Sequence, residues 1–328
     1  MQLAALAAIV LSTSVAFAQQ QGPEILVYSK TAGYRHDSIP TAIDALQGIA
    51  DRTSLYRPTF SVDESVFTSD QLAKFKAIVF LSNSDQVLTS DGEVAFEQWL
   101  TNGGSLVGLH AATACLFNDT AFGTAMGSWF HRHPTIQNAT FTKLTSHETI
   151  DMLPDRYNTF EEVYSFRTDP RAVNATALLT VDPDSYQDSD KPTAQGVDAP
   201  YFQGTPHPIA WLRDRGMNVD LSNGTSSDPP RMNGRMWMTS LGHTNETWQS
   251  DVHLQHVEAG LRWALEGLSS SSSNQSTTSE LATRTGSRTS SLAPSATPSR
   301  TNSSDRTSLG PRAWGKLALV VVAVLSIA

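Results

Sequence analysis

Residues 24–49 read EILVYSKTAGYRHDSIPTAIDALQGI. A short apolar run, Glu24–Ser29, is followed by a polar turn, Lys30–Asp37, and then by a pattern that sets Ile39, Ala42, Ile43, Leu46 and Ile49 on one helical face. The switch from a continuous apolar run to a 3.6-residue period predicts strand, loop and helix. Further along, strands are expected at Tyr56–Val62, Lys76–Leu81 (KAIVFL) and Ser105–Leu109 (SLVGL). Between the last two, Ser90-Asp91-Gly92-Glu93 has the form of a capping box starting a helix to Leu100, with Asn102-Gly103-Gly104 as its stop.

Strands alternating with helices at this spacing imply an α/β fold with a mostly parallel sheet covered on both faces. Ligands in such sheets sit beyond the carboxyl ends of the strands, where strand order switches. The loops after the first and fourth strands hold Lys30, Arg35, His36 and Asp37, and His110 and Thr113. The second half is less regular, with strands expected around Ile136–Leu144, Glu161–Phe166 and Ala177–Val181. Arg235–Leu241 reads as a last strand leading through Gly242-His243 to a helix at Asp251–Leu265, Gly216–Arg231 as a loop insertion, and Asp198–Pro206 as a turn-rich lid.

The ends carry targeting signals. Residues 1–18 are uncharged and apolar and close on Ala16-Phe17-Ala18, the pattern of a cleaved signal peptide. Residues 268–303 are dominated by Ser and Thr and cannot bury enough apolar surface to offset ordering entropy, so a disordered, O-glycosylated stalk is expected. Residues 304–328 pair a polar spacer with the apolar tail Leu317–Ala328, the order of a GPI signal with Ser303 as attachment point. Sequons at Asn118, Asn138, Asn174, Asn223 and Asn245 agree with a secreted glycoprotein held on the outer plasma-membrane leaflet.

What lies between, residues 19–267, is expected to be one domain with 17 Lys/Arg against 30 Asp/Glu, an acidity that argues against a nucleic-acid partner. Cys115 is the chain's one cysteine, so no intrachain disulfide forms and stability rests on an ordinary core.

An ordered set of segments carries a family resemblance: KTAGYRHDSI (30–39), GLHAAT (108–113), WFHRHP (129–134), LPDRYNTFEEVYSF (153–166), HPIAW (207–211) and GRMWMTSLGHT (234–244). Together they resemble the ThuA-like, trehalose-utilisation family across nearly all of Glu24–Gly267. The resemblance implies a flavodoxin-like three-layer α/β/α sandwich related to class I glutamine amidotransferases, and a link to sugar metabolism. Where the amidotransferases place a nucleophilic cysteine on the tight turn after a central strand, this chain has His110, and Cys115 lies off the turn. Glutamine hydrolysis through a thiolate is therefore not expected.

His36, His110 and His243 stand at three strand ends and, with Glu162, form the candidate catalytic set. Gly108, Ala111 and Ala112 are read as letting the backbone approach a ligand at His110. Glu161 and Glu162 alternate along an expected strand, so one of them faces the cleft; the family pattern selects Glu162 with Tyr164. Arg35, Tyr164, His207 and Trp211 are the candidate substrate contacts, Trp211 by stacking on a sugar ring. His131 and His133 alternate on an extended segment and offer a pair of ligands for a divalent metal. Two readings follow: a carbohydrate-active hydrolase, lyase or isomerase acting on sugar or cell-wall glycan, or a non-catalytic carbohydrate-binding or wall-associated surface protein.

Overall fold

The computed structural model describes residues 22–189, 202–215, 219–222, 224 and 226–266. The signal peptide, stalk, GPI segment, Ser303 and Asn223 lie outside them, as do residues 198–201 of the expected lid and 216–218 and 225 of the expected insertion. The described residues belong to one compact unit.

The strands are β1 (Glu24–Tyr28), β2 (Arg57–Ser61), β3 (Ala77–Leu81), β4 (Ser105–Leu109), β5 (Phe130–Arg132), β6 (Gln137–Lys143), β7 (Arg156–Glu161), β8 (Ser165–Phe166), β9 (Thr176–Val181), β10 (Pro208–Arg213), β11 (Val219–Asp220), β12 (Arg231–Met232) and β13 (Met236–Thr239). The helices are α1 (Ile39–Thr53), α2 (Ser69–Leu72), α3 (Ser90–Thr101), α4 (Thr120–Met126), α5 (Asn245–Trp248) and α6 (Asp251–Leu265). A nine-stranded sheet runs in the order β2-β1-β3-β4-β13-β10-β9-β6-β7. From β2 to β13 all neighbours are parallel, and β10, β9, β6 and β7 extend the sheet by antiparallel pairing.

Side-chain alternation builds a core on each face. Ile25 and Val27 of β1 join Ala42, Leu46 and Ile49 of α1 and Val257 and Leu261 of α6 on one side. Leu26 and Tyr28 join Phe96 and Trp99 of α3 and Phe122 and Met126 of α4 on the other. The sandwich therefore has helices on both faces of the sheet, and each fully buried Leu or Ile contributes about 1.5–3 kcal/mol.

Three local expectations are corrected. The cap of α3 is Thr89, one residue before the expected capping box, and its side chain accepts from the Gly92 amide. The expected strand Glu161–Phe166 is broken: β7 ends at Glu161 in the main sheet, while β8 pairs with β5 in a separate ribbon. Gly108 serves packing rather than ligand approach, since a Cβ there would lie 2.4 Å from the Met238 sulfur and 2.7 Å from that of Met126.

Candidate active site

Three parallel strands deliver histidines at their carboxyl ends. β1 leads to His36, β4 to His110 and β13 to His243, while Glu162 and Tyr164 enter from the turn between β7 and β8. One donor atom from each of His36, His110, Glu162 and His243 falls within 4.8 Å of the others. Beside them, Tyr34, His36, Ser84, Ala111, Ala114, Phe130, His133, Glu162 and Tyr164 line a cavity of about 320 Å³.

His110 is fully buried, and its backbone is left-handed at φ 53°. That conformation costs a non-glycine residue of order 1–3 kcal/mol and persists only where the surroundings enforce it. Here Nδ1 lies 2.8 Å from the Ser240 carbonyl oxygen, which can only accept, so Nδ1 carries the hydrogen and Nε2 presents a lone pair. That Nε2 faces the Tyr164 hydroxyl at 3.1 Å, His243 Nδ1 at 3.3 Å and Glu162 Oε2 at 3.7 Å. Glu162 is the hub: its Oε2 is 2.9 Å from His243 Nδ1, and its Oε1 is 3.2 Å from Nε2 of His133 at the exposed rim.

Burial pushes the His36 imidazole down to about 4, with His243 adding to the effect. Burial and then His36 push His110 well below the ordinary histidine range. For Glu162 burial acts upward, but His243 and His133 outweigh it and hold the carboxyl below its usual value. His243 mirrors this: burial lowers it, and the contact with Glu162 wins and raises it. The centre thus sets neutral imidazoles beside a carboxylate in contact with His243, a set able to give and take protons.

Of the expected substrate contacts, Tyr164 lines the cavity and Arg35 is exposed beside His36. Trp211 is not a stacking platform. Its ring is fully buried, edge-on to Phe166, with Nε1 donating to the Met126 carbonyl, because β10 is interior to the sheet. His207 bonds through Nε2 with the Tyr164 carbonyl oxygen at 2.7 Å, so it braces the backbone of a cavity residue. His131 is exposed near Phe202 and His133 pairs with Glu162, whereas the donor atoms that cluster closely enough to hold a metal are those of His36, His110, Glu162 and His243. Asn118, Asn138 and Asn174 are exposed, whereas Asn245 is half-buried and its Oδ1 accepts from Thr41.

Glu161 is the residue that sequence reasoning missed. It is fully buried under the turn after β13, where its carboxylate accepts from the Gly242 amide at 2.9 Å, the His243 amide at 3.2 Å and the Thr247 hydroxyl at 2.9 Å. Burial pushes it up to about 7 even against these bonds. The only sequence signal was the doubled Glu161-Glu162. Cys115 is also fully buried, and burial raises its thiol well above the ordinary value.

A parallel-sheet sandwich with helices on both faces, carrying its polar cluster at the strand carboxyl ends and His110 on the turn after β4, defines a flavodoxin-like, class I amidotransferase-like α/β protein. The chain belongs to the ThuA family, described as trehalose utilisation, whose model matches residues 24–264. A ThuA-like protein from Bacteroides uniformis ATCC 8492 superposes with TM-score 0.53 at 18% identity, covering 77% of this chain and 95% of that one. Another, from Parabacteroides merdae ATCC 43184, gives TM-score 0.50 at 14% identity, covering 75% and 91%. No curated protein sequence matches the chain significantly.

Proposed function

We propose that the protein is a cell-surface carbohydrate-processing enzyme whose reaction centre is the cluster of His36, His110, Glu162 and His243. The observation that carries this is the convergence of four proton-exchanging groups, from four separate segments, beside one cavity. Within this group Nδ1 of His36 is buried without a hydrogen-bond partner, leaving it free to meet a ligand. The cavity volume, about 320 Å³, stands at the low end for small-molecule sites and suits a single sugar unit or a chain end. Tyr34, Phe130 and Tyr164 supply aromatic wall, and the polar groups act on a sugar hydroxyl, or on the carbon beside an oxidised position.

The test is turnover of the purified chain on a panel of disaccharides and keto-sugars. Activity is expected on at least one member, and His110→Ala should lower kcat/KM by at least about 100-fold. Turnover that survives His110→Ala would remove that residue from the mechanism; saturable glycan binding without turnover would favour a non-catalytic carbohydrate-binding role. Surface attachment, which rests on the terminal sequence signals, is tested on intact cells: phosphatidylinositol-specific phospholipase C should release the protein, and retention would exclude a GPI anchor.

A further inference from the structure

We infer that His36, His110, His243 and Glu162 bind one divalent transition-metal ion, zinc being the first choice. The inference deepens the proposed function, and rests on that reading for its chemical use, but its evidence is the separate matter of donor geometry.

A tetrahedral zinc ion with bonds of about 2.0–2.1 Å requires donor atoms about 3.3–3.4 Å apart. His243 Nδ1 and His110 Nε2 are 3.3 Å apart, His243 Nδ1 and Glu162 Oε2 2.9 Å, and His110 Nε2 and Glu162 Oε2 3.7 Å. Three edges of the polyhedron thus scatter around the required length, and the His36 donor lies within 4.8 Å of each of the others. The orphaned atoms point the same way. Glu162 Oε2 has no contact of hydrogen-bond length beyond the one with His243 Nδ1, and Nδ1 of His36, a residue 6% exposed, has no partner. Coordination would supply the partner that a buried polar atom in this state lacks.

The outer contacts are those of a ligand shell. A metal-bound imidazole characteristically donates its other N–H to a carbonyl or carboxylate, which fixes the tautomer, and His110 Nδ1–H does so to Ser240. His243 is held from behind, its amide and that of Gly242 donating to the Glu161 carboxylate. Glu162 Oε1 is steadied by His133. Three imidazoles and one carboxylate select a borderline ion over calcium or magnesium, which take oxygen ligands. An ion there would polarise a sugar hydroxyl or carbonyl oxygen in the adjoining cavity.

The test uses the full chain secreted from a eukaryotic host, stripped with chelator and titrated with zinc chloride and, in parallel, cobalt chloride. One equivalent should bind, cobalt should give the intense visible bands of a tetrahedral site, and Tm should rise with ion concentration. Loss of an outer-shell partner alone weakens metal affinity about 10–100-fold, so Glu162→Gln and His243→Ala should each cost more than about 100-fold. His131→Ala should keep one equivalent, and circular dichroism shows which variants are folded. If His243→Ala unfolds, the near-isosteric Glu162→Gln decides. Failure of the wild-type chain to bind stoichiometrically, or one equivalent retained by folded Glu162→Gln, would overturn the inference. Sugar turnover by a chain that binds no stoichiometric ion would sink the metal and keep the enzyme; one bound equivalent with no turnover on the panel would do the reverse.

Discussion

At the scale of single residues, Glu161 and Glu162 show how adjacent identical side chains acquire different tasks. Glu162 reaches the histidines, while Glu161 is sealed beneath the Gly242–His243 turn and accepts three hydrogen bonds. A glutamine at 161 keeps the shape but has one acceptor oxygen and turns an amide group toward N–H donors. Glu161→Gln should therefore destabilise by about 1–3 kcal/mol in denaturant titration. It should also lower turnover through misplacement of His243, with kcat falling more than KM rises; an unchanged kcat would leave Glu161 a purely structural residue. His36, His110 and His243 were legible because each lies in the loop that follows an expected strand. The contact partners of those histidines were not, since strand ends far apart in sequence meet only through sheet order.

At the scale of elements, the turn after β13 and the end of α4 are the sensitive joints. Gly242 has φ 127°, its carbonyl accepts from Trp248 Nε1, and an added Cβ would lie 3.2 Å from the Trp248 ring and 3.4 Å from His110 Cβ. Gly242→Ala should cost about 1–3 kcal/mol and disturb His110 and His243 together, read as a lowered Tm with reduced turnover. Arg213, on the interior strand β10, is buried and donates to the carbonyls of Thr124, Ala125 and Val173, closing the last turn of α4. Arg213→Met would leave those carbonyls without their donor and should cost about 2–4 kcal/mol by chemical denaturation. Among elements, β1, α1, β3, β4 and α6 were readable from periodicity and caps. β10 was not marked as a strand in HPIAW, and β8 was merged with β7, because a short apolar run does not reveal where a chain leaves one sheet for another.

At the scale of the whole molecule, histidines away from the cavity add to the acid sensitivity of the fold. His253 and His256 lie fully buried on α6; burial pushes them down to about 3 and about 4, His256 adding to the shift at His253. Neither ring nitrogen of His253 has a partner, and its ring packs edge-on to Trp248. Unfolded histidine titrates near 6.5, so below that pH the unfolded chain binds protons that the folded chain refuses. The stability these residues contribute is present above about 6.5 and is lost as pH falls toward 4, by about 1.4 kcal/mol per pH unit for each fully mismatched proton. His253→Leu should flatten that acid limb of a Tm-against-pH curve; an unchanged slope would mean that His253 is accessible to protons when folded.

The sequence by itself determined the alternating strands and helices, the absence of a cysteine on the turn after β4 and the family resemblance. These are encoded locally, in apolar period and in residues fixed to strand ends. Tertiary structure alone decided that Trp211 is core, that His207 braces Tyr164, that Glu161 holds His243, and that the donor atoms of His36, His110, Glu162 and His243 cluster while His131 stays apart. The physical reason is strand order. Placing β4 between β3 and β13 brings residues separated by more than a hundred positions within a bond length or two, and periodicity along the chain carries no information about that neighbourhood.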